Sequence, residues 1–195
     1  MNSPYHNIPK NEWKKITETL VEKHPFTESE IKEIVFKSWK AIFESKIGEF
    51  KIGKEIFPAP QILSFFLHEL IGHYFDKKYK GKFHVGTKKN EKDIHCVYNE
   101  NLSIEIKASS NKNRIFANRS YAQPASSNEK KNKDGYFIAV NFEKVTPDNP
   151  NPKILIIRFG YLEHSDWRAQ AAATGQQANL APETYEKKFI TLYSK

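Results

Sequence analysis

Apolar positions recur along the chain first at the spacing of an α-helix and then at that of a β-strand. From about Lys10 to Lys23 the pattern is helical. Thr27-Glu28-Ser29-Glu30 has the capping-box form that opens a second helix, whose apolar residues Ile31, Ile34, Val35, Ile42 and Phe43 keep near-helical spacing to an end near Gly48. After Pro58 and Pro60, Gln61 to Tyr79 carries Ile62, Leu63, Phe65, Phe66, Leu67, Leu70, Ile71, Tyr74 and Phe75 around most of its circumference, which predicts a core helix. From about residue 83 the period becomes two. Asp93 to Tyr98 and Leu102 to Ala108 alternate around Asn99-Glu100-Asn101 and read as a β-hairpin. Gly135 to Phe142 and Lys153 to Phe159 are two more strands, joined by the loop Thr146 to Pro152 with its three prolines. The tail Glu163 to Ala181 turns polar and rich in small residues before a last apolar stretch, Phe189 to Tyr193. No repeat or linker divides the chain. The order predicts a single α/β domain, residues 1–195, with a helical part at about 10–80, a sheet part at about 83–160 and a C-terminal part at about 161–195.

The hairpin is the informative element. Side chains alternate along a strand, so Ser103, Glu105 and Lys107 share one face while Leu102, Ile104, Ile106 and Ala108 share the core face. On the preceding strand Ile94, Cys96 and Tyr98 match the core set and leave Asp93 and His95 on the polar face. A three-residue turn pairs Tyr98 with Leu102, His95 with Glu105 and Asp93 with Lys107; a two-residue turn would mix apolar and charged sets on one face. Asp93 and Glu105 then become diagonal neighbours, roughly 7–8 Å apart in backbone terms, with Lys107 beside them.

Two carboxylates at that separation can share Mg²⁺, which keeps several waters and can coordinate a phosphate oxygen as water attacks in line. The lysine can lower the pKa of the attacking water or stabilise the phosphorane. Acids and lysines that merely face each other across a solvated hairpin have the same signature, so Asp, eleven residues, Glu-x-Lys leaves both readings open.

Composition narrows the field. With 38% hydrophobic residues the chain of 195 can build a packed core, and 28% charged residues predict a well-solvated surface. An excess of 31 basic over 23 acidic residues, net +8, favours a polyanionic partner such as nucleic acid or an anionic membrane surface, although it also simply confers solubility. The single cysteine, Cys96, rules out a disulfide within the chain, fits a reducing cytoplasm and reads as a small core residue. Met1 to Lys10 contain no apolar run, and no segment approaches the roughly 20 apolar residues that span a membrane. The expectation is a cytoplasmic protein outside the membrane.

The run Ser103-Ile104-Glu105-Ile106-Lys107-Ala108-Ser109-Ser110, followed by Phe116-Ala117-Asn118-Arg119-Ser120-Tyr121-Ala122-Gln123, resembles type II restriction endonucleases of the PD-(D/E)xK superfamily, most of all the ScaI group. His164-Ser165-Asp166-Trp167 and Ala171-Ala172-Ala173-Thr174-Gly175-Gln176 add to the likeness, which extends over about residues 90–180. The resemblance implies a restriction-endonuclease-like core, a central mixed β-sheet flanked by helices. It also implies Asp93 and Glu105 as metal ligands, Lys107 as the catalytic lysine, and products with 5′-phosphates. Lys92 stands where many relatives have proline before the aspartate.

Other residues have two readings. Glu69, on the apolar helix, is either a further residue of the catalytic site, where the resemblance implies that a helix acid can supply an extra ligand, or half of a buried ion pair. His68-Glu69-Leu70-Ile71-Gly72-His73 mimics a zinc-protease motif, but its histidines stand five apart where four are needed to share a face. His95 either orients a water or phosphate or is a hydrogen-bonded cross-strand histidine. Lys112, Asn113 and Arg114 lead into Asn118, Arg119, Ser120, Tyr121 and Gln123, while Arg168, Thr174, Gln176 and Gln177 lie in the polar tail. Lys and Arg bind phosphate, Asn and Gln can read adenine and Arg guanine, and Tyr121 can stack or pack, so both segments suit a DNA groove or a plain solvated loop.

Taken together, the residues and the resemblance predict a Mg²⁺-dependent type II restriction endonuclease that cuts double-stranded DNA at a short, palindromic site as a homodimer, with a DNA methyltransferase as genetic partner. The alternatives are a structure-specific or repair nuclease of the same superfamily and a basic, non-catalytic nucleic-acid-binding module.

Overall fold

The computed structural model describes residues 3–123, 132–172 and 174–195; Ala173, within one of the stretches quoted above, lies outside them. Helix α1 (Trp13–Glu22) follows a short 3-10 turn, Lys10–Glu12. Helix α2 (Glu28–Glu44) starts at the predicted capping box: the Thr27 hydroxyl accepts from the Glu30 amide at 3.3 Å and the Glu30 carboxylate from the Thr27 amide at 2.8 Å. It stops at Glu44, short of the expected end near Gly48. A small hairpin, β1 (Lys46–Ile47) and β2 (Phe50–Lys51), occupies the difference and turns at Gly48, whose φ of 62° suits glycine. Pro60 opens helix α3 (Pro60–Lys78) at a position where its missing N–H costs nothing.

Strands β3 (Phe83–Val85), β4 (Ile94–Cys96), β5 (Ile104–Ser109), β7 (Gly135–Phe142), β8 (Ile154–Leu162) and β11 (Phe189–Ser194) form a mixed six-stranded sheet in the order β11-β8-β7-β5-β4-β3. All neighbours are antiparallel except β5 and β7. Every residue of β7 is buried, as its near-continuous apolar run requires of a strand covered on both faces. One face packs its Ile104, Ile106, Ile138, Val140, Ile157 and Phe159 against α2, α3 and the end of α1.

The opposite face is covered by a second, three-stranded sheet in the order β6-β10-β9, built from β6 (Phe116–Asn118), β9 (Trp167–Ala169) and β10 (Gln177–Leu180). Phe137, Ala139 and Leu162 meet Ala117, Tyr121, Trp167, Ala178 and Leu180 there, and Tyr185 of the short helix α4 (Pro182–Lys187) packs alongside. Among the described residues, no helix is long and apolar enough to cross a membrane.

Two expectations need correction. Helix α3 is not apolar-buried all round: Leu63, Leu67, Ile71 and Phe75 fill the core, but Phe65 is 57% and Ile62 48% exposed. The hairpin exists, yet its register differs by two residues, because the connection is longer than the three residues of an ideal turn. Ile94, not Cys96, pairs with Ile104. The excess chain forms a 3-10 turn, Glu100–Leu102, whose N-cap Asn99 side chain accepts from the Asn101 amide at 3.2 Å. The Ser103 hydroxyl closes the loop by accepting from the Cys96 amide at 2.9 Å. Tyr98, expected in the core, is accordingly 58% exposed.

Candidate active site

The alternation of β5 holds in space: Ile104 and Ile106 enter the helix-side core, while Glu105 and Lys107 project toward the small sheet. In the observed register Ile94 faces Ile104, so continuing it one step beyond the start of β4 would set Asp93 toward Glu105 rather than toward Lys107.

Glu105 is 3% exposed. A carboxylate buried this deeply needs partners, and two converge on one of its oxygens: Lys107 Nζ donates to Oε1 at 2.6 Å, and the Tyr121 hydroxyl donates to the same Oε1. Lys107 also donates to the Tyr121 oxygen at 3.2 Å and stands 4.5 Å from its ring centroid. Asp93 Oδ2 accepts from the Ile106 backbone amide at 2.7 Å, which fixes the aspartate against β5. From α3, His68 Nδ1 approaches the same Oδ2 at 3.9 Å.

The chain around Asp93 explains its placement. Lys92 is 6% exposed and donates from Nζ to the Asp134 carbonyl at 2.5 Å, tying the approach to Asp93 to the start of β7. Gly135 is needed there: its φ is 142°, and a Cβ would lie 2.0 Å from that Nζ. On the helix side, a Cβ at Gly72 would sit 3.1 Å from Val85, so α3 lies close over the strand ends.

Glu69 is not the α3 side chain at this centre. Its half-exposed carboxylate faces His73 at 3.8 Å, one turn on, while His68 points to Asp93. Spacing carried this information unread: Ser64, His68 and Gly72 form an i, i+4 stripe of polar or small residues on an apolar helix. His95 is paired with His84 on β3, and the shifted β4–β5 register no longer sets it opposite Glu105.

The two polar segments singled out for DNA contact, well separated in sequence, meet in the small sheet, where Asn118 pairs with Gln177 and Arg168 with Asn179. Paired positions share a face, and Asn118, Gln177, Asn179 and Arg168 are all exposed on the outer one. Ser120, Gln123, Thr174 and Gln176 are exposed at its end. Lys112, Asn113 and Arg114 are exposed on the loop after β5, which the buried Asn141 of β7 pins by donating to the carbonyls of Asn111 and Arg114 at 2.8 and 2.9 Å. Two candidates fall elsewhere. Tyr121 is buried at Glu105 and Lys107, and Arg119 donates to the Ala172 and Gly175 carbonyls at 3.2 Å, bracing the turn before β10.

A mixed sheet flanked by helices, with Glu105 and Lys107 on its third strand from one edge and Asp93 directly before the second, defines a restriction-endonuclease-like core. The model of the ScaI restriction endonuclease family matches residues 3–193. The chain is 37% identical over 196 residues to the type II restriction enzyme ScaI of Streptomyces caespitosus, covering 99% of this chain and 86% of that protein. The chain therefore belongs to the ScaI restriction endonuclease family, and with it to the type II restriction enzymes. Comparison with solved structures gave no match.

Proposed function

We propose that the chain is a Mg²⁺-dependent endonuclease that cuts double-stranded DNA at a short, palindromic site and leaves 5′-phosphates. The observation that carries this reading is the convergence of Glu105, Lys107 and Tyr121 beside Asp93, whose carboxylate is held to the same strand by the Ile106 amide. The donor set fits the ion: two carboxylates without sulfur or imidazole ligands in the pair suit a hard cation such as Mg²⁺. Asp93 and Glu105 would hold it, and when bound it would activate water and neutralise charge on the phosphoryl group.

The remaining work belongs to the chain. Lys107, 13% exposed in its side chain, carries a positive charge in a water-poor position, where it stabilises developing phosphate charge more strongly than a solvated lysine would. Tyr121 holds Lys107 and Glu105 in register. The Asp93–Ile106 bond keeps the aspartate from rotating away. The crossover from β5 to β7 carries β6 and its following turn over the same face, so the exposed edge of Asn118, Gln177, Asn179 and Arg168 is the proposed base-reading surface beside the cut. A palindrome read by one such surface requires a two-fold pair, so the proposed working form is a homodimer. It would act in the cytoplasm, with a DNA methyltransferase of the same specificity protecting the host.

Digestion of phage DNA in Mg²⁺ tests the reading. Discrete fragments support it. Cutting confined to branched DNA would instead make the chain a structure-specific or repair nuclease, and DNA binding without cutting would make it a binding module.

A further inference from the structure

Three side chains outside the acid centre converge at the edge of the main sheet. His84 on β3 and His95 on β4 are directly paired, with ring centroids 5.0 Å apart, and Glu91 comes from the loop between those strands. One potential ligand atom from each of the three lies within 4.8 Å of the others. We propose that His84, Glu91 and His95 form a zinc site, separate from the acid centre, that clamps the loop carrying Asp93.

Three details make this a prepared ligand set rather than a chance meeting of polar groups. His84 Nδ1 lies 2.7 Å from the Val85 carbonyl; a carbonyl only accepts, so Nδ1 carries the proton and the neutral ring presents an Nε2 lone pair. Glu91 is 9% exposed and oriented by its own loop, with Oε2 accepting from the Thr87 and Lys88 amides at 2.9 and 3.2 Å. Its Oε1 faces the largely exposed Lys88 ammonium at 3.6 Å, a loose pair that an ion can displace. His95 Nδ1 is buried and has no hydrogen-bond partner, a cost that coordination, or rotation of the ring about the ion, would remove.

The chemistry selects the metal. Two imidazoles and one carboxylate suit a borderline ion and leave a fourth position for water, whereas Mg²⁺ prefers oxygen donors. Bonds of about 2.0–2.2 Å place tetrahedral donors roughly 3.4 Å apart, so side-chain shifts of about 1 Å close the set. The consequence is local. The loop runs from Gly86 to Asp93 and is shut by the Gly86 amide donating to the Asp93 carbonyl at 3.0 Å, so an ion bridging both of its flanks would stiffen the backbone that sets Asp93.

The test uses the full chain, stripped with chelator, re-equilibrated with Zn²⁺ in an excess of Mg²⁺, desalted and analysed for zinc. The expected result is close to one zinc per chain in the wild type and in Glu105→Gln, with loss of most of it in His84→Ala and His95→Ala. Zn²⁺ should also raise the melting temperature of the first two proteins only, with far-UV circular dichroism confirming the fold. No retained zinc in the wild type, equal zinc in the histidine variants, or loss in Glu105→Gln alone would overturn the proposal. Should a histidine variant not fold, Co²⁺ added to the wild type in Mg²⁺ decides: a visible band of tetrahedral cobalt supports the site, and a flat spectrum overturns it.

Discussion

Tyr121 shows how much a single residue's surroundings change its meaning. As a tyrosine in a polar run it suits base stacking, but its hydroxyl is spent between Glu105 and Lys107 and its ring packs edge-on to Trp167 at 5.6 Å. Tyr121→Phe keeps the ring and removes only the hydroxyl, so the fold should persist while cleavage falls roughly 10- to 100-fold, as for other groups that orient a metal ligand. Single-turnover rates beside an unchanged melting temperature check this, and a wild-type rate would remove Tyr121 from the proposed centre. His24 is a residue through which stability should depend on pH. It is buried, accepts from the Phe26 amide at Nδ1 and therefore donates from Nε2 to the Leu102 carbonyl, so both nitrogens are satisfied only in the neutral ring. Burial pushes its pKa down from 6.5 to about 4, against the smaller upward pull of the Leu102 carbonyl. The unfolded chain thus binds the proton more readily than the folded one. His24 stabilises the fold fully above pH 6.5, and that contribution, on the order of 3 kcal/mol, is lost as pH falls toward 4. Urea midpoints measured across this range should drop in the wild type and flatten in His24→Gln; parallel curves would contradict the assignment.

At the scale of elements, what was legible in the sequence was whatever depends on local period. The capping box at Thr27, the run of β7 and the alternation that puts Glu105 and Lys107 on one face of β5 are all written in consecutive residues. The hairpin register was not, because it depends on the length of a connection that folds into its own 3-10 turn with Asn99 and Ser103 as clamps. Strands β6, β9 and β10 are only three or four residues long, and their exposed sides are polar. Nothing local distinguishes them from loop, and only tertiary pairing makes them a sheet. That sheet sharpens the specificity prediction. Asn118→Ala and Gln177→Ala should weaken binding to the cognate duplex about 5- to 150-fold, the worth of one bidentate contact, and leave random DNA nearly unaffected. Lys112→Ala should weaken both alike. Competition binding in Ca²⁺ with cognate, single-mismatch and random duplexes separates the two behaviours. Equal losses on all three duplexes for Asn118→Ala and Gln177→Ala would mean that this sheet face only positions the backbone.

For the molecule as a whole, the net charge of +8 predicts that DNA binding weakens steeply with salt, with a log–log slope of roughly −0.9 for each phosphate contacted. Titrations from low to physiological ionic strength measure it, and a slope near zero would remove the electrostatic basis for a nucleic-acid partner. Binding alone, however, does not distinguish an enzyme from a basic module. The distinction rests on Asp93, Glu105 and Lys107 acting as a unit, in which removal of any part disables the rest. The decisive measurement is therefore single-turnover cleavage of a cognate duplex in Mg²⁺ by the wild type, Asp93→Asn, Glu105→Gln and Lys107→Ala, with affinity for the same duplex measured in Ca²⁺. Each variant should lose at least about 10³ in rate while Lys107→Ala still binds the duplex specifically. Lys107→Ala cutting at close to the wild-type rate would contradict the account at its centre.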